Sequence, residues 1–220
     1  RLYTENGTKN FLGKRIYNYD FYKKYLPNYF EADQDQVFKL KKIKRKLLSF
    51  QDNSLYGVDI VNFKGVNVRK GGLNLTKSEK ELKNILLIGD SYIFGVYLDE
   101  KFTISSNLQK LLKFDNKNYN VINAGYAAGF DPDQHYVFLT KNIKKFKPDV
   151  VIYGLYGGND FIDYDENRWV SKDKYNLPIK IINDSLNVND NGFIYNKDQD
   201  ADNIVGTRWS SIPILKKSLT

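Results

Sequence analysis

Apolar and polar positions are unevenly organised along this 220-residue chain, and strong periodicity begins only after residue 80. Ile85-Leu86-Leu87-Ile88 is a continuous apolar run closed by Gly89, the pattern of a strand buried on both faces. Over Phe102–Phe114, Ile104, Leu108, Leu111 and Leu112 recur at helical spacing, which predicts an amphipathic helix with these four inward. Val121-Ile122 predicts a second short strand, closed by Asn123-Ala124-Gly125. Asp131-Pro132 supplies a cap and a proline at the first helical position, so a second helix opens there. Its expected inner face is Tyr136, Leu139, Ile143 and Phe146. Lys147-Pro148-Asp149 breaks that helix, and Val150-Val151-Ile152-Tyr153 predicts a third buried strand.

The order β-α-β-α-β predicts a parallel sheet with right-handed crossovers and helices on its faces. Residues 1–80 read instead as an irregular, aromatic and basic extension packing on that core, with turn signals at Asn6-Gly7, Asn53-Ser54 and Gly71-Gly72. Residues 81–220 form the main domain, interrupted by an insertion at about 163–207. Within it, Ile179–Ile182 and Phe193–Tyr195, separated by sequence containing Asn191-Gly192, predict a small β-hairpin. Pro213 within Ile212–Leu215 marks the approach to a further element.

Composition narrows the chemistry. There is no Cys, which excludes disulfides and thiolate catalysis. The single His, His135, excludes a multi-histidine metal centre within these residues, and no cofactor is implied. No apolar run approaches the roughly 18 residues of a membrane helix. The formal charge of +8 lies entirely in the N-terminal part: residues 1–80 hold 17 Lys and Arg against 8 Asp and Glu. The run Lys39–Lys46 reads as a solvated face with Leu40, Ile43 and Leu47 inward. Its alternative reading is attraction to an anionic membrane surface or acidic polysaccharide. No motif supports nucleic-acid binding.

Ligands of open parallel sheets sit outside the carboxyl ends of the strands. Three loops leave those ends: Gly89-Asp90-Ser91, Asn123-Ala124-Gly125-Tyr126-Ala127-Ala128-Gly129, and Gly157-Gly158-Asn159-Asp160. They bring a hydroxyl, a glycine-rich backbone and a carboxamide to one edge, the parts of an acyl-transfer site. Ser91 is the candidate nucleophile. The N–H groups of Ser91 and Gly129 and the amide of Asn159 are the candidate oxyanion donors, with Gly125 the alternative to Gly129. Asp90 and Asp160 are expected to hold their loops. His135 faces the same edge but sits at a helix N-terminus, where an imidazolium is disfavoured, so it is expected to pack rather than to act as a base.

The strings "ILLIGDSYIFGV", "VINAGYAAGFDPDQ" and "PDVVIYGLYGGNDF", spanning roughly residues 84–165, resemble the first three blocks of the SGNH (GDSL-type) hydrolases. Among these, the resemblance is to members related to lysophospholipase L1 and to envelope polysaccharide esterases. It implies a flavodoxin-like α/β fold, a three-layer sandwich with a parallel sheet. It also implies Ser91 as nucleophile, with its own N–H, Gly129 and Asn159 forming the oxyanion hole. The substrates implied are acyl esters, either O-acetylated glycans or lysophospholipids. A sugar O-acyltransferase and a non-catalytic polysaccharide-binding or envelope-assembly module are the alternatives. The family's late Asp-x-x-His block does not occur in these residues. The fold is therefore expected to be C-terminally incomplete, and these 220 residues inactive alone. The resemblance, the zero Cys and the absence of Met together lead to an expected extracytoplasmic location, with an upstream signal or anchor neither seen nor excluded.

Overall fold

The computed structural model describes residues 8–11, 14–17, 29–48, 55–74, 82–115, 118–126, 130–158, 160, 167–184, 186–188 and 194–196. The signals at Asn6-Gly7, Asn53-Ser54, Asn191-Gly192 and Ile212–Leu215 lie outside them.

Two short hairpins come first: β1 (Thr8–Phe11) with β2 (Lys14–Tyr17), and β3 (Phe30–Asp33) with β4 (Val37–Leu40). The Asp33 carboxylate turns the second by accepting from the N–H groups of Asp35 and Gln36 at 3.0 and 3.2 Å. A meander follows: β5 (Ile43–Leu48), β6 (Leu55–Phe63) and β7 (Val66–Arg69). Lys64 and Gly65 make its two-residue turn with φ of 52° and 79°, the left-handed geometry that matches strand twist in a tight hairpin. Tyr56, Val58 and Ile60 alternate inward along β6.

The stronger pattern then unfolds in the expected order. It runs β8 (Lys83–Gly89), α1 (Ser91–Phe94), α2 (Ile104–Phe114), β9 (Tyr119–Gly125), α3 (Pro132–Phe146) and β10 (Val150–Gly154). A 3₁₀ turn, Glu100–Phe102, precedes α2, and the Thr103 hydroxyl caps that helix by accepting from the Ser106 N–H at 3.2 Å. At the start of α3 the Gln134 side chain reaches back to the Asp131 N–H at 3.1 Å, half of a capping box. The chain closes with hairpins β11 (Arg168–Lys172) with β12 (Pro178–Ile182) and β13 (Leu186–Val188) with β14 (Ile194–Asn196).

Six strands form one sheet in the order β10-β8-β9-β7-β6-β5. The molecule is a mixed α/β protein. β8 pairs in parallel with both β9 and β10, whereas β7–β9, β6–β7 and β5–β6 are antiparallel. The expectation of a parallel sheet thus holds for three strands and fails for the sheet as a whole. The strands of residues 43–69 are separated by six and two residues in sequence, too few for a parallel crossover, and they supply half of the sheet from a stretch that read as irregular.

Alternate residues of β8 and β9 serve two cores. Leu86, Ile88, Ile122 and Ala124 join Phe138 and Phe146 of α3 and the buried residues of the meander. Ile85, Leu87 and Val121 join Ile93, Leu108 and Leu112. The helices α2 and α3 therefore lie on opposite faces. Their predicted inner stripes need correction: Ile104 and Leu111 of α2 are exposed, and Ile143 of α3 is exposed while Val137, Phe138 and Phe146 are buried. The buried arc is thus narrower than expected in α2 and rotated in α3. β10 also departs from expectation. Val150–Tyr153 are 39–43% exposed, since β10 is an outer strand with one neighbour. Ile179–Ile182 pair with Arg168–Lys172 rather than with the segment near Tyr195.

Candidate active site

The site is assembled where β8, β9 and β10 end. Their last residues, Gly89, Gly125 and Gly154, stand side by side in register, Gly154 opposite Gly89 and Gly89 opposite Gly125. A Cβ on Gly89 would lie 2.5 Å from the Gly154 carbonyl oxygen and 2.7 Å from Ile93 Cγ1. One on Gly154 would lie 2.5 Å from Ile93 Cδ1, and one on Gly125 would overlap the Phe94 nitrogen. The row of missing side chains is a seat, and the Ile93-Phe94 segment of α1 occupies it. Ser91 opens that turn.

Asp90 caps the turn, its Oδ1 accepting from the Tyr92 N–H at 2.9 Å. Burial raises the pKa of Asp90 above the ordinary carboxylate value, and the N–H groups of Tyr92 and Ile93 oppose that rise. The Ser91 carbonyl accepts from Gly95 and Val96 at 2.9 and 3.1 Å, and Gly95 closes α1 in the left-handed region at φ 81°. The Ser91 side chain is half-buried and has no hydrogen-bond partner among the described residues.

Two residues beneath the turn carry no sequence signal. Asn123 Nδ2 donates to the Ile93 carbonyl at 3.0 Å and to Ser105 Oγ at 3.1 Å, while its Oδ1 accepts from the Gly125 N–H at 3.0 Å. That last bond occupies the donor of Gly125, which removes it as the alternative oxyanion group. Arg69 of β7 is fully buried and spends all its donors. Nη1 reaches the carbonyls of Phe94 (2.7 Å) and Gly95 (2.5 Å), Nη2 those of Leu98 (2.5 Å) and Gly57 (3.3 Å), and Nε meets Glu100 at 2.8 Å. Its guanidinium lies over the Phe94 ring. No periodicity marks an arginine at the end of Val-Asn-Val-Arg as such a clamp; only the tertiary contacts reveal it.

Gly129 and Asn159 lie outside the described residues, so the structure brings together Asp90, Ser91 and Asp160 of the expected set. Asp160 is buried. Its Oδ2 accepts from the Tyr156 N–H at 2.7 Å, and its own N–H donates to the Tyr156 carbonyl at 3.2 Å. These bonds close the five-residue loop that carries Asn159 in sequence. That loop meets the Ser91 turn directly, because the Tyr92 and Tyr156 rings stand 4.6 Å apart.

His135 is buried beneath the same strand tips, with Nδ1 3.3 Å from the Tyr153 hydroxyl and its ring against Phe130. Burial pushes its pKa down to about 3, partly offset by a hydrogen bond with the Gly89 backbone. Such an imidazole stays neutral at neutral pH. Beside it, the hairpin β11–β12 is tied to the start of α3: Asn167 Nδ2 donates to Asp131 and Asp133 at 2.9 and 3.1 Å, and Trp169 Nε1 to Asp133 at 2.9 Å. Among the described residues, no three His, Asp or Glu stand together as metal ligands. Comparison of the chain with family models, with curated proteins and with solved structures found no match.

Proposed function

We propose that this chain carries the nucleophile and oxyanion donors of a serine hydrolase of the SGNH type, acting on acyl esters from a three-layer α/β fold. The observation that carries the reading is the seat of three in-register glycines, which holds the Ser91 turn at the tips of three parallel strands.

In this reading Ser91 Oγ attacks the acyl carbonyl and the carbonyl oxygen becomes an oxyanion. The N–H groups of Ser91 and Gly129 and the Asn159 amide receive that charge, each such donor being worth about 3 kcal/mol of transition-state stabilisation. Collapse of the intermediate expels the alcohol and leaves an acyl-enzyme, which water then hydrolyses. The attack needs a base to take the Ser91 proton, and these 220 residues contain no Asp-x-x-His block. His135 does not replace it. An imidazole whose pKa burial pushes down to about 3 is a poor proton acceptor for a serine hydroxyl.

The test is covalent labelling of the full-length protein with a phosphonofluoridate, read by peptide mass. A single adduct on Ser91, abolished by Ser91→Ala, is expected. A protein that takes no label on Ser91 while remaining folded would refute the reading and favour a non-catalytic module on the same scaffold.

A further inference from the structure

The two glycines in the loop after β10 have different surroundings. Gly157 has nothing within 4 Å of a Cβ built on it, whereas a Cβ on Gly158 would lie 2.5 Å from Tyr156 Cε1, 2.6 Å from Cζ and 2.8 Å from the hydroxyl oxygen. Neither has a positive φ, so Gly158 answers to space and not to backbone conformation. It makes room for a ring. The Tyr156 ring folds over that glycine and also meets the Tyr92 ring, at 4.6 Å between centroids and 34° between planes. A side-chain hydrogen bond joins the two tyrosines and, with a smaller contribution from burial, raises the Tyr92 hydroxyl pKa above its ordinary value.

This tie runs between two backbones that are themselves fixed. Tyr92 follows Ser91 in α1, and Asp90 Oδ1 accepts from its N–H at 2.9 Å. Tyr156 opens the loop after β10, and Asp160 Oδ2 accepts from its N–H at 2.7 Å. Neither ring belongs to either hydrophobic core, Tyr92 being 58% and Tyr156 41% exposed. Rings so exposed hold no core together. What their contact fixes is the separation of the two loops.

We propose that Tyr92 and Tyr156, with Gly158, are positioning residues, a clasp that sets the distance between Ser91 and the loop carrying Asn159 in sequence. The assignment rests on the hydrolase reading, in which that loop offers an oxyanion donor to the carbonyl that Ser91 attacks. A misplacement of about 1 Å at a reacting centre costs about a hundredfold in rate. A clasp of two rings therefore acts on rate without touching the substrate.

The experiment follows phosphonofluoridate labelling of the full-length protein at rising probe concentration, which separates probe affinity from the maximal labelling rate. Tyr92→Ala, Tyr156→Ala and Gly158→Ala should each lower the maximal rate by about ten- to a hundredfold, with probe affinity and final label stoichiometry unchanged. Phe at position 92 or 156 keeps the rings and should restore most of the rate. In an Asn159→Ala background the three substitutions should slow labelling by less than about twofold, because residues that act as a unit are not additive. Amide exchange gives a readout that needs no chemistry. Tyr92→Ala should speed exchange of the Tyr156 N–H, on the other loop, by about two- to tenfold, the worth of an aromatic pair.

Unchanged exchange at Tyr156 overturns the clasp whether or not the wild type is labelled. Where the wild type is labelled, the clasp is also overturned if the Ala variants keep its maximal rate, or if their slowing is as large without Asn159 as with it. A wild type that takes no label on Ser91 but shows the faster exchange in Tyr92→Ala removes the hydrolase reading and leaves the tie between the loops.

Discussion

The two halves of the six-stranded sheet meet burial in different ways. The antiparallel half, β5 to β7, buries one face and ends in a strand whose Lys44 and Lys46 point to solvent while Ile43 and Leu47 point inward. An edge dressed with lysine resists pairing with another chain. The parallel half, β8 to β10, needs cover on both faces. β8 receives it, with Ile85–Leu87 at 0–6% exposure, whereas the equally apolar run of β10, Val150–Tyr153, is 39–43% exposed. The half that protects itself contributes support; the half that needs cover holds the candidate site.

The largest effect is expected where the halves join. β7 and β9 share the register pair Arg69 and Asn123, and the Arg69 guanidinium continues that joint to the Ser91 turn. Arg69→Met leaves buried carbonyls and the Glu100 carboxylate without their donor and should destabilise the chain by about 3–5 kcal/mol, measured by urea unfolding. Arg69→Lys should recover only part, because an ammonium cannot reproduce the planar fork. A loss below about 1 kcal/mol for Met, within the range of an ordinary substitution, would show that the joint lies elsewhere.

Glycines sharpen the contrast next. Gly125→Ala forces a methyl into the Phe94 backbone and should lose about 1–3 kcal/mol while slowing phosphonate labelling of Ser91. Gly65→Ala, in the β6–β7 turn at φ 79° with open space around it, should lose about 1 kcal/mol with labelling intact. Equal effects on labelling would contradict the role of the glycine row as a seat.

The acid response should come from the parallel half. His135 has a folded pKa of about 3 against 6.5 for the free side chain, so the unfolded chain binds the proton first as pH falls. Its contribution is complete above about 6.5 and declines by roughly 1.4 kcal/mol per pH unit below that. Comparing urea midpoints of wild type and His135→Leu between pH 7 and 5.5 isolates this slope. Parallel curves would mean that His135 is accessible to protons in the native state.

The smallest thermodynamic effect is expected at the edges, with changes within about 0.5 kcal/mol. Light scattering of the 220-residue chain should show less association for Ile152→Lys and more for Lys44→Val with Lys46→Val. Indifference to both would remove the distinction between the two edges.

The element order from residue 83 to 154 was legible because each apolar run is short, bounded by glycine or proline, and separated by helix-length spacing. The meander was not legible. Its alternation spans only Tyr56, Val58 and Ile60 before Asn62 and the Lys64-Gly65 turn interrupt it, and basic residues mask β5. Of the candidate site, Asp90-Ser91 and the loop closed by Asp160 could be placed from their positions after apolar strands. Asn123 and Arg69 could not, because an asparagine inside a strand and an arginine at the end of one announce no partner.

The sequence by itself determined the three parallel strands, their two helices and the loops at their tips, since hydrophobic period and glycine position act over a few neighbouring residues. Tertiary structure alone decided which apolar strand is central and which is an edge. It also decided that residues 43–69 complete the sheet, and that a buried guanidinium holds the Ser91 turn. These depend on what packs beside each segment from 25 or more residues away, and local pattern carries no record of that.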